Sequence, residues 1–237
     1  MRGKDGSSWH VDQSYNLYKP HNIFSPYCLP NTIDLKEIVE LFEYFMCQEI
    51  IDKIVISTNK RMNNSKMLSS IELKAFCGLL LLFGVTKKND IEVNEIYCKK
   101  SVNYLEWAAV CMPRDRFKDI CKNICFDDID TRKIRFRNNP KFHKMVEVFE
   151  IFKDNLRNGL VPGSKTCIDE QLYSYRGRCQ FKQYIPSKPA KYGIKYWSFI
   201  DVESGYLIDT NVYLGIFKIP FLFNLVKNLK IFLFSSL

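Results

Sequence analysis

The sequence predicts a mixed α/β fold in which a long helical region precedes a shorter, strand-rich region. Between residues 34 and 160 the apolar side chains recur at the three- and four-residue spacing of amphipathic helices. Strand-type alternation replaces that spacing after Val161-Pro162-Gly163. Lys195–Asp201 and Gly205–Tyr213 are predicted strands joined by a turn at 203–205. With 237 residues, of which 46% are hydrophobic, the chain can bury a sizeable core.

The helical region is predicted to begin after an extended, polar lead-in at residues 1–33. Asp34 suits the N-cap of a first helix that continues to about residue 50. Ser69 and Glu72 have the spacing of a capping box, which predicts the start of a second helix. Because that helix is apolar on nearly all sides through residues 73–85, it is predicted to be buried.

Two prolines mark further helices. Pro113 suits the first turn of a helix over residues 114–126, and Pro140 the start of an amphipathic helix ending at Asn158-Gly159. Polar breaks are predicted at residues 59–65 and 87–95. Residues 127–139 are charged and have no apolar periodicity, so no helix is predicted there.

The net charge of +9 favours an anionic partner, nucleic acid first and an acidic membrane surface second. A lysine-rich solvated surface explains the same charge equally well. The N-terminus is polar and has no secretory signal. The apolar segment 221–234 is interrupted by lysines and too short for a membrane span, so no membrane association is predicted.

The cysteines predict a reducing compartment. There are nine, an odd number, and no two have the C-x-x-C spacing. They are therefore interpreted as reduced core cysteines of a cytosolic or nuclear protein. Cys121 and Cys125 are one helical turn apart, but a zinc site would need two further ligands, so none is predicted.

An acidic pair, Asp169 and Glu170, follows a short segment at residues 165–168 that suits a strand. A carboxylate at a strand end can hold Mg²⁺, which prefers oxygen ligands in octahedral geometry, but at least one further carboxylate is needed. Asp169 is thus a candidate catalytic and metal-binding residue. The alternative is a solvated corner between a strand and a turn.

A cluster of cations follows the acidic pair. Arg176 and Arg178 flank a glycine in a predicted turn, which suits bidentate contacts with phosphate. Lys188, Lys191 and Lys195 occupy a loop stiffened by a proline. All five are candidate DNA-binding residues, because such a loop can follow a nucleic-acid backbone. A solvated basic hairpin is the alternative.

Residues 168–197, IDEQLYSYRGRCQFKQYIPSKPAKYGIKYW, resemble the start of the catalytic domain of piggyBac transposases and their domesticated derivatives. The resemblance extends over about residues 5 to 215. The other matching motifs are Ser57-Thr58-Asn59, Glu72–Gly78 leading to Gly84-Val85, Asp115-Arg116-Phe117, Phe126-Asp127-Asp128, Val161-Pro162-Gly163 and Tyr213-Leu214-Gly215.

The resemblance implies a helical dimerisation and DNA-binding region at residues 34–160, then an RNase H-like fold that begins at 164–215. Family enzymes cut and paste DNA at TTAA sites with three aspartates and Mg²⁺. Asp169 matches the first aspartate, whereas Glu170 is assigned no catalytic role. The implied partners are DNA and a second copy of the chain, and the implied compartment is the nucleus, with the cytoplasm as the alternative.

Residues 216–237 do not resemble the family and contain no Asp or Glu. The second and third aspartates are missing, and Asp201 and Asp209 do not match them. The RNase H-like domain is therefore predicted to be incomplete, the protein to bind DNA without cutting it, and Mg²⁺ not to be bound stably. Residues 216–237 are interpreted as translated intron or frameshifted sequence, or as an amphipathic cover for the sheet.

Two alternatives stay open. The chain is either part of an active transposase whose gene model is truncated, or a domesticated non-enzymatic protein that works by association with DNA or protein.

Overall fold

The structure is a computed structural model that describes residues 38–62, 66–138 and 141–215. The predicted lead-in, the Asp34 cap and the segment 216–237 lie outside these residues. A mixed fold of helices followed by an antiparallel sheet is confirmed. The helices within the described residues are α1 (Ile38–Phe45), α2 (Gln48–Arg61), α3 (Ser70–Val85), α4 (Val93–Ile96), α5 (Glu106–Cys111), α6 (Arg114–Asn123), α7 (Arg132–Asn138) and α8 (Val146–Gly159). The strands are β1 (Thr166–Ser174), β2 (Lys182–Tyr184), β3 (Tyr192–Asp201) and β4 (Leu207–Val212).

The main hydrophobic core lies between the helices. Phe117 of α6 is at its centre, where its ring contacts the rings of Phe76 and Phe83 from α3 and of Tyr97. The other fully buried apolar side chains of this core come mainly from α2 and α3, and they are Ile50, Ile51, Ile54, Leu73, Leu79, Ile96, Ala108 and Ile120. Aromatic packing of this kind stabilises a core beyond the area that it buries.

The first predicted helix is two helices in the structure. The chain leaves the helical conformation after Phe45, and α2 begins at Gln48. The helical spacing of apolar residues in α1 does not produce a buried face. Ile38 and Val39 are exposed, and none of the residues of α1 is fully buried. The polar break predicted at 59–65 begins too early, since α2 continues to Arg61.

Helix α3 confirms the predicted capping box but not the predicted burial. Ser69 Oγ accepts a hydrogen bond from Glu72 N at 3.1 Å, and Glu72 Oε2 accepts one from Ser69 N at 3.3 Å. The core face is buried, but Leu80, Leu81 and Leu82 are 47–59% exposed. The prediction of burial on all sides was wrong because neighbouring helices contact only one face of α3 among the described residues.

The remaining helix boundaries were predicted in part. Helix α7 occupies most of the charged segment for which no helix was predicted. Helix α8 ends at Gly159 as predicted, but it begins at Val146 rather than near Pro140. Helix α6 begins directly after Pro113 and ends at Asn123, before the predicted end at 126. Helix α4 begins within the predicted polar break at 87–95.

Arg116 connects α6 with the start of α3. Its guanidinium donates to both carboxylate oxygens of Glu72, at 3.1 and 3.0 Å, and to Asp119 at 3.0 Å. It also donates to the carbonyls of Lys66 and Met67. Its side chain is mostly buried, and such bidentate pairs are geometrically specific, which explains why Arg rather than Lys occupies this position.

Asp127 connects α7 with the core, as Arg116 connects α6 with α3. Its buried carboxylate accepts hydrogen bonds from Arg132 at 2.7 Å through both oxygens and from Arg135 at 3.3 Å. Burial alone would raise the pKa of Asp127, but the hydrogen bonds from Arg132 and Cys125 outweigh it and hold this pKa below its ordinary value.

Strand β3 is the centre of the sheet. Strand β1 pairs with it along one edge, from Thr166 opposite Asp201 to Ser174 opposite Gly193. Strands β4 and β2 pair antiparallel with successive parts of β3, and since β1 occupies the first edge, they share the second. The short strand β2 was not predicted, whereas the turn before Gly205 was, and Gly205 has the positive φ of 69° that favours glycine.

Helix α8 packs against β4 on one face of this sheet, which we call the helix face. Lys153 Nζ donates to Asn211 Oδ1 at 2.9 Å, and Arg157 donates to Asp209 Oδ2 at 3.1 Å. Tyr206 Oη donates to the Leu156 carbonyl at 2.8 Å. Because side chains alternate along a strand, the neighbours of these residues point to the opposite side, which we call the open face.

The cysteines of the described residues are free, but they are not mainly core residues. Among the eight described cysteines only Cys125 is buried, and Cys98, Cys111, Cys121 and Cys167 are exposed. Apolar neighbours in the sequence therefore did not predict their burial. No helix in the described part of the chain is long and apolar enough to cross a membrane.

We expect Asp127→Asn to lower the free energy of unfolding at neutral pH by about 2–3 kcal/mol, since two arginines lose a buried anion. The lowered pKa means that the carboxylate stabilises the fold above about pH 4, and that this stability is lost as pH falls through the folded pKa. Urea unfolding across pH should therefore show the two proteins converging in acid. A difference independent of pH would contradict this assignment.

Candidate functional site

Asp169 lies in the middle of β1, not at a strand end as predicted. The strand continues five residues beyond it to Ser174, because pairing with β3 continues to Gly193. Asp169 is exposed, and its Oδ1 accepts a hydrogen bond from the Glu170 amide at 2.7 Å. The residue directly opposite is Ser198, which in turn faces Thr210 on β4. These three side chains share the open face.

Glu170 points to the helix face and is held by two lysines. It forms an ion pair with Lys195 and a longer contact of 3.7 Å with Lys188. Lys195 Nζ also lies 4.6 Å from the ring centre of Trp197 and 5.3 Å from that of Tyr213. The side chain of Lys195 is 16% exposed, so its charge is engaged inside the sheet by a carboxylate and two aromatic rings.

Asp201 and Asp209 do not join Asp169. Asp201 is fully buried and holds the turn after β3, accepting from the Gly163 amide at 2.9 Å and the Ser204 hydroxyl at 2.6 Å. Burial would raise the pKa of Asp201, but these hydrogen bonds lower it overall. Asp209 lies on the helix face beside Arg157, and its burial raises its pKa despite that cation.

The open face does not fit a stable Mg²⁺ site within the described residues. No group of three or more His, Cys, Asp or Glu side chains converges there or elsewhere in the described chain. Asp169 is accompanied by the hydroxyls of Ser198 and Thr210, both of which are buried. One carboxylate and two neutral hydroxyls are a poor ligand set for a cation that usually takes several carboxylate, phosphate and water oxygens.

The predicted DNA-binding cations fall into two groups. Arg176, Arg178 and Lys191 are exposed, and none has a side-chain ion pair or hydrogen bond within the described chain. Lys188 and Lys195 are at least partly occupied by Glu170. Residues 171–200 contain no Asp or Glu, so the first group carries uncompensated positive charge.

Gly177 fixes the turn between the two arginines. A Cβ at this position would lie 2.5 Å from Tyr175 Oη and 2.6 Å from its Cζ, so the Tyr175 ring packs directly on the glycine backbone. Lys182 Nζ completes the turn by donating to the Gly177 carbonyl at 3.1 Å. Arg176 and Arg178 on either side of this turn are exposed to solvent.

The tyrosines around this turn were not among the predicted site residues. Tyr173, Tyr175, Tyr184 and Tyr192 are 40–57% exposed, and every exposed tyrosine of the described chain is among these four. Extending the two-residue alternation of β1 beyond Asp169 would have placed Tyr173 on the same face, which is the signal that could have found it.

Comparisons with known proteins agree on one family. The family model described as Transposase IS4 matches residues 38–218. The human PiggyBac transposable element-derived protein 3 is 27% identical over 164 residues, which are 67% of this chain and 26% of that protein. The human Chimeric ERCC6-PGBD3 protein is 27% identical over the same length, 15% of its own. The chain thus spans about a quarter or less of these relatives.

One solved structure is similar in fold. It is the cryo-EM structure of a piggyBac transposase synaptic complex with hairpin DNA, with a TM-score of 0.71 and 30% sequence identity. The match covers 81% of this chain and 42% of the transposase chain. The described helices and sheet therefore share the arrangement of the corresponding part of that transposase.

We expect Lys195→Met to lower the free energy of unfolding by about 1–2 kcal/mol, because Glu170 loses its nearest cation and two rings lose a cation–π contact. Lys188→Met is the matched control. Its ammonium is more exposed and 3.7 Å from Glu170, so its loss should cost less than about 1 kcal/mol. Urea unfolding measures both, and equal effects would contradict a structural role specific to Lys195.

Proposed function

This chain belongs to the piggyBac-type transposases matched by the Transposase IS4 model, and we propose that it binds DNA but does not cut it. The family is related to DNA transposition, and DDE-type transposases of this kind use divalent metal ions. Binding would be non-specific towards the duplex backbone. A contribution from TTAA sequences, a homodimer assembled through the helical region and action in the nucleus are further parts of the proposal.

The uncompensated charge of the β1–β3 segment supports DNA binding. Six cations and no carboxylate lie between residues 171 and 200, and three of the cations are exposed and unpaired among the described residues. Phosphate contacts by such groups release counterions and dominate the affinity for duplex DNA. Of the five candidate residues, Arg176, Arg178 and Lys191 are proposed as the principal contacts.

The carboxylate arrangement supports the absence of cleavage. We assign the sheet to the start of an RNase H-like domain in which Asp169 is the first catalytic aspartate. Two-metal phosphoryl transfer needs carboxylates that flank both ions. Asp201 and Asp209 are engaged in hydrogen bonds on the other side of the sheet, so neither flanks a metal ion at Asp169.

The second candidate is an active transposase of which this chain is one part. Its support is the position of Asp169, which is exposed on the open face without a cationic partner in the described chain. In that case the remaining carboxylates would come from residues that this sequence does not contain. A non-enzymatic role in DNA or protein association is compatible with the same surface.

We expect duplex DNA affinity to weaken as salt rises from low to physiological concentration, and Arg176→Gln/Arg178→Gln to weaken it further at low salt. The slope of log affinity against log salt should fall in magnitude by about 1.8, since each phosphate contact contributes about 0.9. Lys99→Gln/Lys100→Gln, which removes two exposed cations from the helical region, is the matched control. Fluorescence anisotropy measures the affinity of the parent chain and of both double variants. Equal salt slopes in the two double variants would contradict the assignment of Arg176 and Arg178 as phosphate contacts.

Asp169→Asn tests the catalytic part of the proposal. In a nicking assay with Mg²⁺, neither the parent chain nor the variant should cleave duplex DNA, since one aspartate does not position two metal ions. Both should retain salt-dependent DNA binding. If the parent chain cleaves DNA and the variant does not, the proposal that the chain lacks cleavage activity is rejected. That result would favour the active transposase.

A further inference from the structure

The tyrosines beside the basic turn form one surface on the open face. Tyr173 is opposite Ile194 on β3, and Tyr184 of β2 is opposite Tyr192 of β3. These registers place the three tyrosines on the same side of the sheet as Asp169. The ring of Tyr173 lies 5.2 Å from that of Tyr196, and the ring of Tyr184 lies 4.7 Å from that of Tyr192. We call Tyr173, Tyr184, Tyr192 and Tyr196 the tyrosine platform.

Burial does not explain this platform. Tyr173, Tyr184 and Tyr192 are each 49–57% exposed, although an aromatic side chain contributes most to stability when it is buried. Helix α8 contacts the opposite face of the sheet, and no described element covers the platform. Three large apolar rings on one exposed patch indicate a surface that binds a partner.

Cations surround the platform and indicate the charge of that partner. Lys182 Nζ lies 5.9 Å from the ring centre of Tyr192, and Lys191 precedes this tyrosine directly in the sequence. Arg176 and Arg178 lie in the turn that connects β1 with β2. With no carboxylate between residues 171 and 200, the platform suits a partner with flat apolar groups on a polyanionic chain. An unpaired stretch of DNA has both properties.

We propose that the tyrosine platform stacks the bases of unpaired DNA while Arg176, Arg178, Lys182 and Lys191 contact its phosphates. This inference rests on the proposed DNA binding and adds that part of the bound DNA is single-stranded. Stacking of bases on aromatic rings tolerates any sequence, because every base has a π face. A duplex keeps its bases inside, so it uses the cations but not the platform.

The platform also has a defined place relative to Asp169. Tyr173 is four residues from Asp169 on the same strand and face, which corresponds to roughly 13 Å at about 3.3 Å per residue. The platform and Asp169 therefore share the open face of the sheet.

The test compares Tyr173→Ala/Tyr184→Ala with Tyr173→Phe/Tyr184→Phe in the full chain. The probe is a fluorescein-labelled single-stranded thymidine oligonucleotide, with a duplex of equal length as the second ligand. The alanine pair should weaken single-strand binding on the order of tenfold or more for each tyrosine, and the phenylalanine pair should keep it. Duplex affinity should be unchanged in both, and circular dichroism with thermal unfolding should show that both variants remain folded.

The outcomes separate the two proposals. If the parent binds neither probe in a salt-dependent manner, the proposed DNA binding is itself rejected. If it binds the duplex but the alanine pair binds the single strand as tightly as the phenylalanine pair, only the platform is rejected and the tyrosines serve the sheet alone. A uridine oligonucleotide bound more than tenfold tighter than the thymidine one would overturn the assignment to DNA.

Discussion

The two-residue alternation of β1 is the constraint on which the functional surface depends. Asp169 and Glu170 are neighbours in the sequence, but the pleat sends their carboxylates to opposite faces of the sheet. Glu170 is neutralised by Lys195 on the helix face, where burial without a partner would be costly. Asp169 is left in solvent beside Ser198. A slip of one residue in the pairing with β3 would exchange these roles.

The position of helix α8 leaves the opposite face of the sheet accessible. Two of its contacts with β4 are polar, Lys153 to Asn211 and Arg157 to Asp209, and they hold the helix against one side of the sheet. The geometric demand of these partly buried hydrogen bonds makes this contact specific as well as stabilising. Tyr173, Tyr184, Tyr192 and Tyr196 are on the opposite face of the sheet, which α8 does not contact.

Sequence patterns predicted the features that depend on neighbouring residues, such as helix ends. They did not predict side-chain exposure or ion pairing that depends on residues distant in the sequence. The capping box of Ser69 and Glu72 and the end of α8 at Gly159 follow from local chemistry, and both were predicted. The exposure of Leu80 to Leu82 depends on which helices pack against α3. The engagement of Lys195 depends on cross-strand partners, so spacing alone grouped it with Arg176 and Arg178, which the structure leaves without partners in the described chain.

In the function proposed for this chain, DNA binds on the open face of the sheet. Photocrosslinking of the full chain to DNA that carries bromodeoxyuridine, with the crosslinked peptides identified by mass spectrometry, tests it most directly. Crosslinks are expected in residues 173–192, at the tyrosines and beside the unpaired arginines, and none at Lys195. Crosslinks confined to helices α1–α8, with residues 166–212 untouched, would contradict the claim.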